Sequence, residues 1–199
     1  MNRALYLVVA VALAACQENS GPGGVDDARL SIVRQDALAP PLLAARDSFW
    51  AKVGDGREVR LFYQGALPGD SGDEFLRFEV PGDGLYRKPD GSAFRAGDSI
   101  LITVTVVDPA RFAFDFAPAN LQFNPQNPAR LRVRYANGDK DFDNDGDRDA
   151  VDDEIEMELD LWYRRAVGAL WFRVGAVKFE EADEIDALIR TFSQYAVAW

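Results

Sequence analysis

From Ser48 onward the apolar and polar positions alternate over short stretches separated by turn residues, the signature of strands rather than helices. Ala129–Tyr135 (ARLRVRY) is the clearest stretch. Leu131, Val133 and Tyr135 fall on one face, and Arg130, Arg132 and Arg134 on the other. A period of two puts one face in a core and the opposite one in water. Phe112, Phe114 and Phe116 likewise share a face. Phe75–Val80 alternates and stops at Pro81-Gly82, and Ser99–Val107 (SILITVTVV) has the β-branched, apolar composition of a central strand. Phe49–Val53 and Glu58–Tyr63 flank Gly54-Asp55-Gly56, which predicts a hairpin. Further runs lie at Leu159–Tyr163, Leu170–Val174, Glu184–Ile189 and Tyr195–Trp199, and Asp152–Met157 predicts one short helix. Many short strands without long amphipathic helices predict an all-β fold. We expect an antiparallel β-sandwich with immunoglobulin-like layering over residues 48–199. A transmembrane barrel also alternates, but its strands need about 9–11 residues. Most runs here are five to seven residues long.

The amino terminus follows a different pattern. Met1–Ala15 (MNRALYLVVAVALAA) places Arg3 before an apolar run that ends at Ala15. The run is shorter than the roughly 20 residues that span a bilayer, so it predicts a signal-peptide helix rather than a transmembrane one. Residues 16–47 read as a tether: Gln17–Val25 is small, polar and glycine-rich, and Pro40-Pro41 interrupts any regular element. Within this stretch Leu30–Val33 could form a strand.

Composition narrows the chemistry. The 199 residues include no histidine, which removes imidazole acid–base catalysis and every metal site built on imidazole. A single cysteine allows no intramolecular disulfide. The 33 acidic against 22 basic residues give a net charge of −11, a surface that repels nucleic acid. The chain is expected to be a monomer.

Residues 141–152 (DFDNDGDRDAVD) carry the strongest chemical signal. Taking Asp141 as the first position, carboxylates stand at the first, third, fifth, ninth and twelfth positions: Asp141, Asp143, Asp145, Asp149 and Asp152. Gly146 sits where a tight loop must turn, and Asp147 follows it with a carbonyl to offer. Alternate residues of such a loop point to one centre, and a Ca2+ ion takes six to eight oxygens. A pair of carboxylates about 4 Å apart repels by about 1 kcal/mol in water and about 4 kcal/mol at an effective dielectric of 20. A divalent cation reverses that sign. Mg2+ is less suited because it keeps its waters and demands stricter octahedral geometry. The alternative is an Asp-rich solvated turn.

Three resemblances extend this reading. Leu13-Ala14-Ala15-Cys16 resembles the lipobox of bacterial lipoproteins, which implies cleavage before Cys16, lipid on its sulfur and acylation of the new amino terminus. Gln17 after the cysteine goes, in that class, with export to the outer membrane of Gram-negative cells. The 141–152 loop is similar to EF-hand and dockerin calcium loops. It departs from them at Arg148, where an apolar residue is usual, and at Asp152, which is shorter than the usual Glu. Those departures imply one weak, structural Ca2+ site. Residues 75–199 resemble the β-sandwich domain of ankyrins, UNC-type netrin receptors and zonula-occludens proteins (the ZU type). The resemblance rests on Phe78–Gly82, Leu121–Tyr135, Leu161–Tyr163, Leu170–Val174 and Thr191–Val197, with Thr191 where bacterial versions carry His. It implies a non-catalytic interaction or structural module with the calcium loop inserted between two strands.

Two other functions fit the composition. A glycosidase would need two acids facing each other about 5–10 Å apart. A carbohydrate-binding module would display coplanar aromatics, whereas Trp50, Trp162, Trp171 and Trp199 are expected mainly in the core. Glu180-Glu181 and Asp183-Glu184 read as a solvated turn.

Overall fold

Alternation along the chain becomes two facing sheets. A computed structural model describes residues 23–199; the signal peptide expected over 1–15 and the lipidation expected at Cys16 lie outside the described residues. The strands are β1 (Arg46–Lys52), β2 (Arg57–Gln64), β3 (Ser71–Val80), β4 (Leu85–Arg87), β5 (Ser99–Val106), β6 (Ala113–Ala117) and β7 (Gln122–Phe123). They continue with β8 (Ala129–Arg134), β9 (Asp160–Arg164), β10 (Phe172–Arg173), β11 (Val177–Phe179), β12 (Glu184–Ile189) and β13 (Gln194–Ala198). Helix α1 (Ala150–Glu158) lies between β8 and β9. One sheet runs β1-β5-β6-β13-β9-β10 and the other β11-β12-β8-β3-β2, while β4 and β7 pair as a separate ribbon. Every strand pairing is antiparallel, so the molecule is the all-β sandwich that the alternation implies.

The core is aromatic. Phe78 of β3 meets Phe116 of β6 at 5.0 Å, Phe192 at 5.4 Å and Phe123 of β7 at 6.0 Å between ring centroids. This cluster joins both sheets and the ribbon. Leu131 and Val133 of β8, and Tyr135 just after it, are buried as their period requires. Arg130 and Arg132 on the outer face pair with Asp186 of β12 at 2.6 and 3.3 Å.

Three expectations need correction. Gly54-Asp55-Gly56 does not close a hairpin: β1 pairs with β5, and β2 with β3 in the opposite sheet. Gly54, at φ +90°, makes a tight turn, but the chain then crosses from one sheet edge to the other. Crossing lets Ala51 and Val59 bury themselves in the same core from opposing sheets. The tether expected over 16–47 also ends early. Residues 25–36 form a strap across the outer face of the six-stranded sheet. Val25 exchanges backbone hydrogen bonds with Trp171 at 2.8 and 2.7 Å. The Val33 amide donates to the Val197 carbonyl at 3.0 Å, and the Gln35 amide to the Ala110 carbonyl at 2.9 Å. Leu30 packs with Trp162, Trp171, Ala196 and Ala198 in a second, smaller core, and Val33 reaches the main one. Removing this apolar surface from water is what holds the strap down. Of Leu170–Val174, only Phe172–Arg173 pairs as a strand.

Candidate metal centre

The acidic loop lies on the crossover from β8, in one sheet, to β9, in the other. Its path is set by backbone N–H groups donating to its own carboxylates. The Asp141 carboxylate accepts from the Asp145 amide at 3.1 Å and the Gly146 amide at 3.0 Å. Asp143 accepts from the Asp145 amide at 3.2 Å, and Asp145 from the Asp147 amide at 3.2 Å. Gly146, at φ +102°, supplies the turn that a side chain would strain, with Asn144 at φ +61° before it. One carboxylate oxygen from each of Asp141, Asp143 and Asp145 lies within 4.8 Å of the others, and Asp145, Asp147 and Asp149 form a second such triple. Asp145 belongs to both.

Asp152 is placed differently. Its side chain is 1% exposed and its carboxylate faces backbone rather than the other acids. One oxygen accepts from the Phe142 amide at 2.6 Å and the Asp143 amide at 3.3 Å, and the other from the Asp149 amide at 3.0 Å. Asp149 in turn accepts from the Val151 amide at 2.7 Å, so Asp149 and Asp152 form a reciprocal cap on α1. The Asp-x-x-Asp spacing at 149–152 is that cap's sequence signal, and it was open to reading beside the ion-binding pattern.

The surroundings fasten the loop. Phe142 is buried and meets Trp199 edge-on at 5.4 Å. Lys140 bridges Glu156 and Asp183, at 2.8 Å each, over the Tyr135 ring. Arg34 of the strap donates to Asn144 at 2.6 Å. Arg148 reaches back to Asp153 and Glu156 of α1 at 3.3 Å, a polar use of the position that calcium loops usually give to an apolar residue.

Electrostatics follows the crowding. The neighbouring Asp145 carboxylate, with some loss of hydration, holds Asp147 above the usual carboxylate range. Lost hydration, together with the charges of Asp145, Asp152 and Asp141, does the same for Asp143. Asp152 lies below that range because the Asp149, Phe142 and Asp143 amides favour its charged form. An oxygen-only donor set with mutual repulsion fits a hard cation. Asp141, Asp143 and Asp145 could hold one directly, with Asp147 and Asp149 beside them, while Asp152 shapes the loop.

The other sequence candidates are dispersed. Trp162 and Trp171 are buried, and Trp50 stands out at 61% exposure without a coplanar exposed partner among the described residues. Among the described residues the one other buried carboxylate, Asp186, is held by Arg130 and Arg132. Glu180–Ala182 is an exposed 3-10 turn, as read, but Asp183 and Glu184 are tied to Lys140 and Arg132. Among the described residues no helix is long and apolar enough to cross a membrane. No family model, no curated protein and no solved structure matches this chain.

Proposed function

We propose that this chain is a lipid-anchored, non-catalytic module of the bacterial cell surface, stabilised by one Ca2+ and serving protein interaction or envelope architecture. The observation that carries the calcium reading is the approach of one oxygen each from Asp141, Asp143 and Asp145 to within 4.8 Å of one another, in a loop that joins the two sheets. Bound there, the cation would supply positive charge where three to five carboxylates otherwise repel, and so fix the β8–β9 crossover. Ca2+ is favoured over Mg2+ because it accepts irregular, high-number oxygen coordination. Anchoring rests on the Leu13–Cys16 motif, and outer-membrane placement on Gln17. The sandwich architecture and the ZU-type segments support an interaction role. The non-catalytic reading draws support from Asp152 and Asp186, whose buried carboxylates are engaged by backbone and arginine donors.

A calcium titration followed by thermal melting tests this. Binding to the folded loop alone at a hundredfold excess over Kd stabilises by about 2.7 kcal/mol, raising Tm by about 5–10 °C for a domain of this size. An unchanged Tm up to several millimolar calcium would overturn the reading.

A further inference from the structure

We propose that a groove on the open flank of the sandwich binds a carboxylated polysaccharide. Where β9 and β10 of one sheet meet β11 and β12 of the other, Tyr163, Arg165, Arg173, Leu188, Arg190 and Tyr195 line a cavity of about 450 Å3. Next to it, Tyr86, Asn120, Gln122, Arg165, Arg190 and Phe192 line one of about 400 Å3. Arg165, Arg190 and Thr191 belong to both, so the two adjoin along one flank and together are the groove.

Its charge runs against that of the chain. In a protein of net charge −11, three arginines face this groove and a single carboxylate, Asp186, lines it. Asp186 is already shared by Arg130 and Arg132. Among the described residues Arg165 and Arg190 form no ion pair, and Arg173 reaches only Glu158 at 3.4 Å. Guanidinium forks left free in this way suit carboxylates, which they grip with two parallel hydrogen bonds.

The rest of the lining selects the kind of anion. The amides of Asn120 and Gln122 and the hydroxyl of Thr191 both donate and accept, as sugar hydroxyls require. Tyr86, 42% exposed, offers a ring on which the apolar face of a sugar can rest. An acidic peptide would gain most by adding a strand to a sheet edge, but the edges here, β10 and β11, are two and three residues long. A polyphosphate or nucleic acid, with a charge on every phosphate, meets repulsion from the acidic remainder of the surface. A uronate polymer carries its charges farther apart, between hydroxyl-rich rings.

This inference rests on the reading of the chain as a surface module and not on its calcium. The test is calorimetric titration of the full chain, purified in detergent, with hyaluronan fragments at low ionic strength, where surface charge is least screened. Dextran and poly-glutamate serve as comparisons. Hyaluronan should bind, and dextran and poly-glutamate at least tenfold more weakly. Arg165→Ala/Arg190→Ala should weaken hyaluronan binding at least tenfold. Arg165→Lys/Arg190→Lys, which keeps charge and loses the fork, should fall between. All three arginines of the groove are exposed, so the variants should melt with the parent, and melting with and without calcium reads the loop separately in the same samples. Absence of hyaluronan binding, equal affinity in the alanine variant, or equal binding of dextran or poly-glutamate would overturn the proposal.

Discussion

Replacing Gly146 by Ala separates the loop's geometry from its charge. Gly146 stands at φ +102°, and a methyl group built on it would meet nothing within 4 Å. The cost is therefore conformational, about 1–2 kcal/mol for an L residue held in left-handed backbone. Without a cation the exposed loop can relax and escape most of that strain. A cation-bound loop, which must keep its oxygens aimed inward, cannot. The strain then appears as weaker calcium binding, close to tenfold for about 1.4 kcal/mol. At a calcium level a hundredfold above the parent Kd, the stabilisation falls from about 2.7 to about 1.4 kcal/mol, and the rise in Tm is roughly halved. Gly91→Ala is the control. Its residue has φ +83° and equally open surroundings but lies in a turn far along the sequence from the loop. There the strain should lower Tm by about 2–8 °C and leave the calcium increment alone. Thermal melting across a calcium series reads both variants. If calcium raises the Tm of Gly146→Ala as far as that of the parent at every concentration, the loop does not bind the ion in the conformation described.

Other expectations follow from the core, the strap and the leader. Phe78→Ala empties the junction of three aromatic contacts and should cost about 3–5 kcal/mol in urea unfolding; a loss under about 1 kcal/mol would refute the central role of that cluster. Burial pushes the Tyr63 hydroxyl up to about 12, and the hydroxyl donates a hydrogen bond to Gln35 at 2.7 Å. Its raised value favours the protonated form in the fold. This contribution is therefore complete below the unfolded value of 10.0 and is lost as pH climbs from there towards about 12. In Tyr63→Phe that alkaline loss, followed by melting against pH, should be smaller; an identical profile would exclude Tyr63 as its source. Cys16→Ser should move the protein from the membrane to the soluble fraction on cell fractionation, and a protein still membrane-bound would contradict lipid attachment there.

Strands with a strict period of two were readable because Phe114 and Phe116 of β6 and Leu131 and Val133 of β8 meet the core at alternate positions. Which sheet a strand joins was not. Gly54-Asp55-Gly56 announces a turn, but a turn's residues do not distinguish a return within one sheet from a step across to the other. The strap shows in the sequence only as a possible strand at Leu30–Val33, for a related reason. Leu30 and Val33 bury apolar surface without a repeating period, and their backbone partners lie some 80 to 170 residues away. At the acidic loop, the spacing pointed to the carboxylates that converge. It could not divide Asp152 between ion and backbone, because both uses need an acid at that position. The groove left no local trace at all, since Tyr86, Asn120, Arg165 and Arg190 come from separate segments that only the folded sandwich brings side by side.

The strap sets the length of the leash. With lipid on Cys16, as proposed above, the stitching of Val25 to Trp171 would leave only the residues between Cys16 and Val25 to span the gap from anchor to domain. At no more than about 3.6 Å per residue, that stretch reaches roughly 30 Å when fully drawn out. A sandwich so moored would hug the bilayer, with the Val25–Trp171 end nearest the lipid, and would meet only what comes within a few nanometres of the membrane it rides on.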